Sequence, residues 1–199
     1  MVSPPSSKPS LLFAYGSLAD RETAVGTPLG EATIAGWARA WAHRLTTPAT
    51  GACALGLVRA SDAQTLGLVL ELTPDQLQAL CVRETGYALE RVRVQCHFGE
   101  RGPQSAQTFV GRPEHRGAPG SAFPILQSYL DAVLAGCARR RGPDGVDRFL
   151  ETTAGWGPFI VDDRQRPLYP RAKTLSEREI EIIDAALRRR GFVPWTRGP

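Results

Sequence analysis

RVRVQCHF, residues 91–98, alternates without a break: Val92, Val94, Cys96 and Phe98 fall on one side, Arg91, Arg93, Gln95 and His97 on the other. Successive side chains of a strand point to opposite faces, so the spacing predicts a strand with one buried and one solvated face. AQTFVG, residues 106–111, follows across a Gly-Pro loop and is its expected partner. Upstream, Thr73, Pro74 and Gln76 offer an N-cap, a proline at the first helical position and a capping-box glutamine. The helix they open should carry Leu77, Leu80 and Cys81 inward and end near Gly86.

Farther upstream, CALGLVRA (53–60) and TLGLVLEL (65–72) flank Ser61, Asp62, Ala63 and Gln64, a pattern that suggests a hairpin. ATIAGWARAWAHRL (32–45) mixes β-branched and aromatic residues and reads as one bent strand or two. LLFAY (11–15) is a short apolar run that stops at Gly16 and Ser17, a buried strand running into a turn. Downstream, Pro124 opens a second predicted helix, with Ile125, Leu126, Tyr129, Leu130, Val133, Leu134 and Cys137 at helical spacing. Residues 142–172, rich in Gly, Pro and Asp, should wrap the surface around one short helix. A last helix has a capping box at Ser176 and Glu179, an apolar stripe at Ile180, Ile183 and Leu187, and a stop at Gly191.

Strands first and helices later define an α+β fold with a mostly antiparallel, barrel-like sheet. A doubly wound sheet would need regular alternation of strand and helix, which is absent. Neither a repeat nor a linker divides the chain, so residues 11–199 read as one domain behind a disordered tail, the Pro- and Ser-rich residues 1–10.

No apolar run approaches the roughly 18 residues that span a bilayer, and the N-terminus has no apolar stretch of a secretory signal. The chain therefore reads as soluble and cytoplasmic, with no membrane partner. Cys53, Cys81, Cys96 and Cys137 are far apart, so they read as reduced, small buried hydrophobes and not as a zinc site. The net charge of +4 is concentrated at residues 139–141 and 188–190. Each cluster follows a predicted helix, where cations suit the negative end of the dipole. With no basic stripe interleaved with aromatics, nucleic acid is not an expected partner. Oligomeric state is not legible.

The phosphate-binding glycine loops, the dinucleotide fingerprint and the G-x-S-x-G elbow are all missing. His43, His97 and His115 are scattered, and the first and second fall in strands, where a solvated or core role is expected. Two local features carry chemistry. In Tyr15-Gly16-Ser17-Leu18, glycine admits backbone dihedrals closed to other residues, lets a ligand approach the main chain, and lets successive N–H groups form an anion site. A plain strand-to-loop turn is the alternative. In Arg83-Glu84-Thr85-Gly86-Tyr87, a carboxylate in the last turn of a helix faces the negative dipole end, which disfavours its charge and suits a general acid/base. The alternative is an exposed glutamate paired with an arginine.

A strand ending in FAYGSL, then G-W-x-R-x-W, then a hairpin, then R-E-x-G-Y leading into a strand, resembles the γ-glutamylcyclotransferase family, nearest to its ChaC-like, glutathione-degrading branch. The resemblance implies a small mixed barrel with flanking helices and a cofactor-independent, metal-free enzyme that forms 5-oxoproline from a γ-glutamyl compound. It further implies that the backbone of Gly16, Ser17 and Leu18 binds the γ-glutamyl group and that Glu84 is the acid/base. Tyr15, Tyr87 and Tyr129 could add hydroxyls, although Tyr129 also fits the apolar stripe of its helix. The order of preference among substrates is glutathione, γ-glutamyl amino acids, then γ-glutamyl amines. An inactive binding protein for γ-glutamyl ligands is the other reading. The chain departs from the family where Thr85 and a single Gly86 replace a lysine and a second glycine, and residues 152–172 have no counterpart.

Overall fold

A computed structural model describes residues 9–20, 24–46, 51–99 and 102–195. Its strands are β1 (Ser10–Ala14), β2 (Thr27–Leu45), β3 (Ala52–Leu72), β4 (Tyr87–Cys96) and β5 (Gln104–Gly111), with the short β6 (Ile125–Leu126), β7 (Thr153–Ala154) and β8 (Ile160–Val161). Its helices are α1 (Pro74–Arg83), α2 (Gln127–Thr152) and α3 (Glu177–Arg189). The main sheet runs β3-β1-β5-β4-β2-β7, and β2 also pairs with β3, so five strands close into a barrel with β7 added beside β2. Within that ring only β1 and β5 are parallel. The fold is α+β, as the order of elements predicts.

Closure covers both faces of β1. Phe13 and Tyr15 join the large cluster with Trp41, Leu55, Val94, Leu130 and Phe149, while Leu12 and Ala14 pack with Leu70, Leu80 and Phe109. This explains why LLFAY is apolar throughout instead of alternating. β4 does alternate: Val92, Val94 and Cys96 are buried and Arg91, Arg93 and Gln95 exposed. The parallel contact between β1 and β5 is short, and side chains reinforce it. Thr108 Oγ1 donates to Phe13 O at 2.9 Å and Tyr15 Oη donates to Phe109 O at 2.7 Å. Both capping boxes form as read, at Thr73 with Gln76 and at Ser176 with Glu179. Leu80 is the fully buried residue of α1; Leu77 and Cys81 pack beside it partly covered.

Several expectations are corrected. Residues 61–64 make no hairpin turn, because β3 continues through them and stays antiparallel to β2 on both sides. Gln64 pairs with Ala35 and Arg59 with Trp37, so residues 60–63 bulge opposite Gly36, whose φ of +78° bends β2 there. That polar insertion imitates a turn in sequence. The second helix begins at Gln127, and Ile125 and Leu126 instead form β6, parallel to Ile160 and Val161. Residues 142–172 hold a short helical stretch after a break at Gly142 (φ +60°), but they also bury Phe149, Leu150, Ile160, Val161 and Tyr169. Ser10 of the expected tail pairs with Leu72 in β1, and residues 1–8 of it lie outside the described residues. Residues 139–141 do more than end a helix: Arg139 binds Asp20 and Glu179, and Arg140 and Arg141 bind Glu31. Among the described residues no helix is long and apolar enough to cross a membrane.

Candidate active site

The turn after β1 and the segment after α1 meet at one pocket, although about 70 residues separate them. Phe13, Ala14, Tyr15, Gly16, Ser17 and Leu18 line one side, and Leu55, Glu84, Tyr87, Phe109 and Tyr129 complete it. The structure therefore brings together all six residues singled out from the sequence, Glu84, Tyr15, Gly16, Ser17, Leu18 and Tyr87. Tyr129, which fitted both a core stripe and a pocket, does both: it lines the cavity and packs edge-on against Trp41 at 5.7 Å.

Local structure explains the turn. Ala19 N–H donates to Gly16 O at 2.9 Å and starts a 3-10 turn over Ser17–Ala19. That leaves the N–H groups of Gly16 and Leu18 outside the turn's own bonding, as at any helix start. Gly16 has φ −123°, so a left-handed backbone is not what requires glycine. A Cβ would fit there at ordinary contact distance, 3.4 Å from Tyr129 Oη and 3.5 Å from Leu55 Cδ1, but it would take up space between the turn and the pocket wall. Arg39, from the G-W-x-R-x-W stretch, holds the turn from behind by donating to Tyr15 O at 3.3 Å and Leu66 O at 3.1 Å. The same guanidinium donates to Thr153 Oγ1 at 2.9 Å and stacks on Phe149 at 4.0 Å. It is 5% exposed, and burial lowers its pKa to about 10.

Glu84 is the C-cap of α1. Its N–H donates to Leu80 O at 2.8 Å and its carbonyl accepts from Tyr87 N–H at 2.9 Å, a tight turn that aims the side chain back over the barrel. Arg83 Nε donates to Glu84 Oε1 at 2.7 Å, so the arginine pairing weighed from sequence is present; the carboxylate is nonetheless 17% exposed and lines the pocket. Three tyrosines converge on it. Burial, with the Glu84 carboxylate adding to it, pushes the hydroxyls of Tyr15, Tyr87 and Tyr129 well above the ordinary tyrosine range, so all three stay protonated donors. Tyr15 spends its proton on Phe109 O and Tyr87 on Leu55 O, at 2.7 and 2.9 Å. They are walls held in place, while Tyr129 faces Gly16.

His43 lies beneath the Glu84 loop. It is 1% exposed, its ring stacks on Tyr87 at 3.9 Å, and neither ring nitrogen has a hydrogen-bond partner. The sequence places it in a strand with a core or solvated role, and the core role holds. Gly86 makes the packing possible, because a Cβ there would come within 2.8 Å of His43 Nε2. Gly86→Ala is therefore expected to cost about 1–3 kcal/mol by overpacking, read by urea unfolding; an unchanged midpoint would refute it.

Sequence reasoning missed Arg39 as the support of the turn, Leu55 as the anchor of Tyr87, and Tyr169. Tyr169 Oη donates to Ser17 Oγ at 3.1 Å from the stretch that had no counterpart. The available signal was Arg39 itself, an arginine between two tryptophans on the buried face of a strand.

A family model described as ChaC-like protein matches residues 11–140, and the chain belongs to that family. No curated protein matches it in sequence. Among solved structures, YkqA from Bacillus subtilis superposes with a TM-score of 0.58 at 19% identity, over 73% of this chain and 54% of that one. The chain thus spans about half the length of YkqA. A protein described as gamma-glutamyl cyclotransferase gives 0.59 at 15% identity, over 89% and 99% of the two chains. A yeast gamma-glutamyl cyclotransferase specific to glutathione gives 0.50 at 15%, over 91% and 96%. At such identities these likenesses are likenesses of fold.

Proposed function

We propose that the chain is a γ-glutamylcyclotransferase, converting a γ-glutamyl peptide or amide into 5-oxoproline and the free amine. The observation that carries this reading is Glu84 on the wall of the pocket that the 15–18 turn floors. The family and the names of two structural neighbours support it.

The nucleophile is the substrate's own α-amine, which closes a five-membered ring on the γ-carbonyl. The new C–N bond forms as the old amide C–N bond breaks, so neither a protein nucleophile nor a redox partner is required. Intramolecular attack gains effective molarities on the order of 10⁵ M or more when the chain is held curled. The pocket, narrow and walled by Leu55, Phe109 and three tyrosines, suits that task.

The α-ammonium must lose protons and the departing nitrogen must gain them. Glu84 carries two protons in turn, one from the ammonium before attack and one from the ring nitrogen after it, to the leaving nitrogen, which departs as an ammonium, and the carboxylate is regenerated each time. The N–H groups of the 15–18 turn, with the Tyr129 hydroxyl, receive the substrate carboxylate or the oxyanion that develops on the carbonyl oxygen.

The test is to offer glutathione, γ-Glu-Ala and a γ-glutamyl amine separately and to follow 5-oxoproline by mass spectrometry. Release from at least one is expected. A folded protein that releases none would leave this reading without support.

A further inference from the structure

A second cavity lies behind the 15–18 turn. Tyr15 and Gly16 wall both cavities, but the rear one is otherwise lined by different residues, chief among them Glu31, Arg39, Arg140, Arg141, Arg148 and Thr152. The break at Gly142 brings these together. Helix α2 kinks there, so that Arg140 and Arg141 before it and Arg148 and Thr152 after it line one cavity. Gly145 permits the close approach, because a Cβ there would stand 2.6 Å from Cys137 O. Arg141, Arg148 and Thr152 all follow residue 140, where the family match ends.

Charge in this cavity is out of balance. Four arginines line it with one carboxylate, and that carboxylate is already taken. Arg141 Nε donates to the two Glu31 oxygens at 3.1 and 3.0 Å, and Arg140 Nε stands 3.6 Å from Glu31 Oε1. Arg39 is buried, and all its acceptors are neutral: the carbonyls of Tyr15 and Leu66 and the hydroxyls of Thr152 and Thr153. The charge of Arg140 adds to burial in lowering the pKa of Arg39. Among the described residues the exposed Arg148 side chain has neither a carboxylate nor a hydrogen-bond partner. A buried cation without a counter-charge is costly, and protein interiors pair it with an anion.

We propose that the rear cavity is a binding site for a small divalent oxyanion, with inorganic phosphate as its simplest ligand, held by Arg39, Arg140 and Arg148. A cavity of about 30 Å³, two or three water positions, suits such an ion and not a whole nucleotide. Guanidinium forks match phosphate oxygens in shape and charge. Arg39 also donates to Tyr15 O, so the ion sits against the back of the turn, apart from Glu84, which lines the front pocket. The site requires no chemical step and stands independently of the reaction proposed above.

The experiment follows thermal unfolding in phosphate and in chloride of equal ionic strength, then titrates phosphate by calorimetry. At about ten times a millimolar dissociation constant, phosphate should raise the melting temperature by about 3–6 °C over chloride. Arg148→Gln, a change at an exposed side chain, should weaken phosphate binding about fivefold to tenfold. Glu31→Gln, which frees Arg140 and Arg141, should tighten it up to about fivefold. Arg178→Gln removes an exposed cation that does not line the cavity and should bind phosphate as wild type does. No rise in phosphate, an undiminished affinity in Arg148→Gln, or weaker binding in Glu31→Gln would overturn the proposal. So would an equal loss in Arg178→Gln, which would mark general surface charge as the cause.

Discussion

Glu84→Gln is expected to leave the melting temperature unchanged and to slow 5-oxoproline release by about 10²- to 10⁴-fold, the usual contribution of a general acid/base. The substitution is nearly isosteric. Its amide oxygen can still accept from Arg83 Nε, as Glu84 Oε1 does at 2.7 Å, and the backbone bond to Leu80 O is untouched. A partly exposed ion pair is worth little to stability, so the fold should not register the change. What is lost is the ability to take a proton and return it. A variant that turned over at the wild-type rate would remove Glu84 from the mechanism, and one that unfolded would show the carboxylate to be structural.

The second large effect concerns acid. Burial, with His115 nearby, lowers the pKa of His43 to about 4 from an ordinary 6.5. Above pH 6.5 the ring is neutral in folded and unfolded chains alike and adds no pH dependence. Below it the unfolded chain gains a proton that the folded chain refuses until the pH nears 4, so stability is lost progressively across that window. The full loss is about 3 kcal/mol for a shift of this size. His43→Phe keeps a flat ring against Tyr87 and cannot titrate. The difference in unfolding free energy between wild type and variant should therefore fall by about that amount from pH 7 to pH 4; a flat difference would refute it. Since His43 underlies Tyr87 and Gly86, the Glu84 loop should loosen first.

Much of the fold was legible because local rules and tertiary context agreed. The alternation of residues 91–98 and the capping boxes at Thr73 and Ser176 needed no information beyond their own segments. Misreadings arose where they conflicted. Ser61, Asp62, Ala63 and Gln64 have turn composition, but both flanking halves of β3 had a long partner in β2, and pairing won over local preference. Ile125 and Leu126 fit a helical stripe equally well, and only Ile160 and Val161, 35 residues away, make them a strand. The site divides in the same way. Glu84 and the 15–18 turn lie in short distinctive motifs, whereas Arg39, Leu55 and Tyr169 matter through what they touch. No spacing in one dimension encodes a hydrogen bond between Ser17 and a tyrosine 152 positions later.

That bond also has a meaning in time. The turn is synthesised before the residues that complete its surroundings, which follow in sequence: Leu55, Glu84, Phe109, Tyr129 and finally Tyr169. At about 5–20 residues per second, the 152 positions between Ser17 and Tyr169 take roughly 8–30 s to emerge. Through that interval the turn waits for its partners, so a nascent chain halted just before Tyr169 would have every residue of the pocket lining but not the bond that ties Ser17.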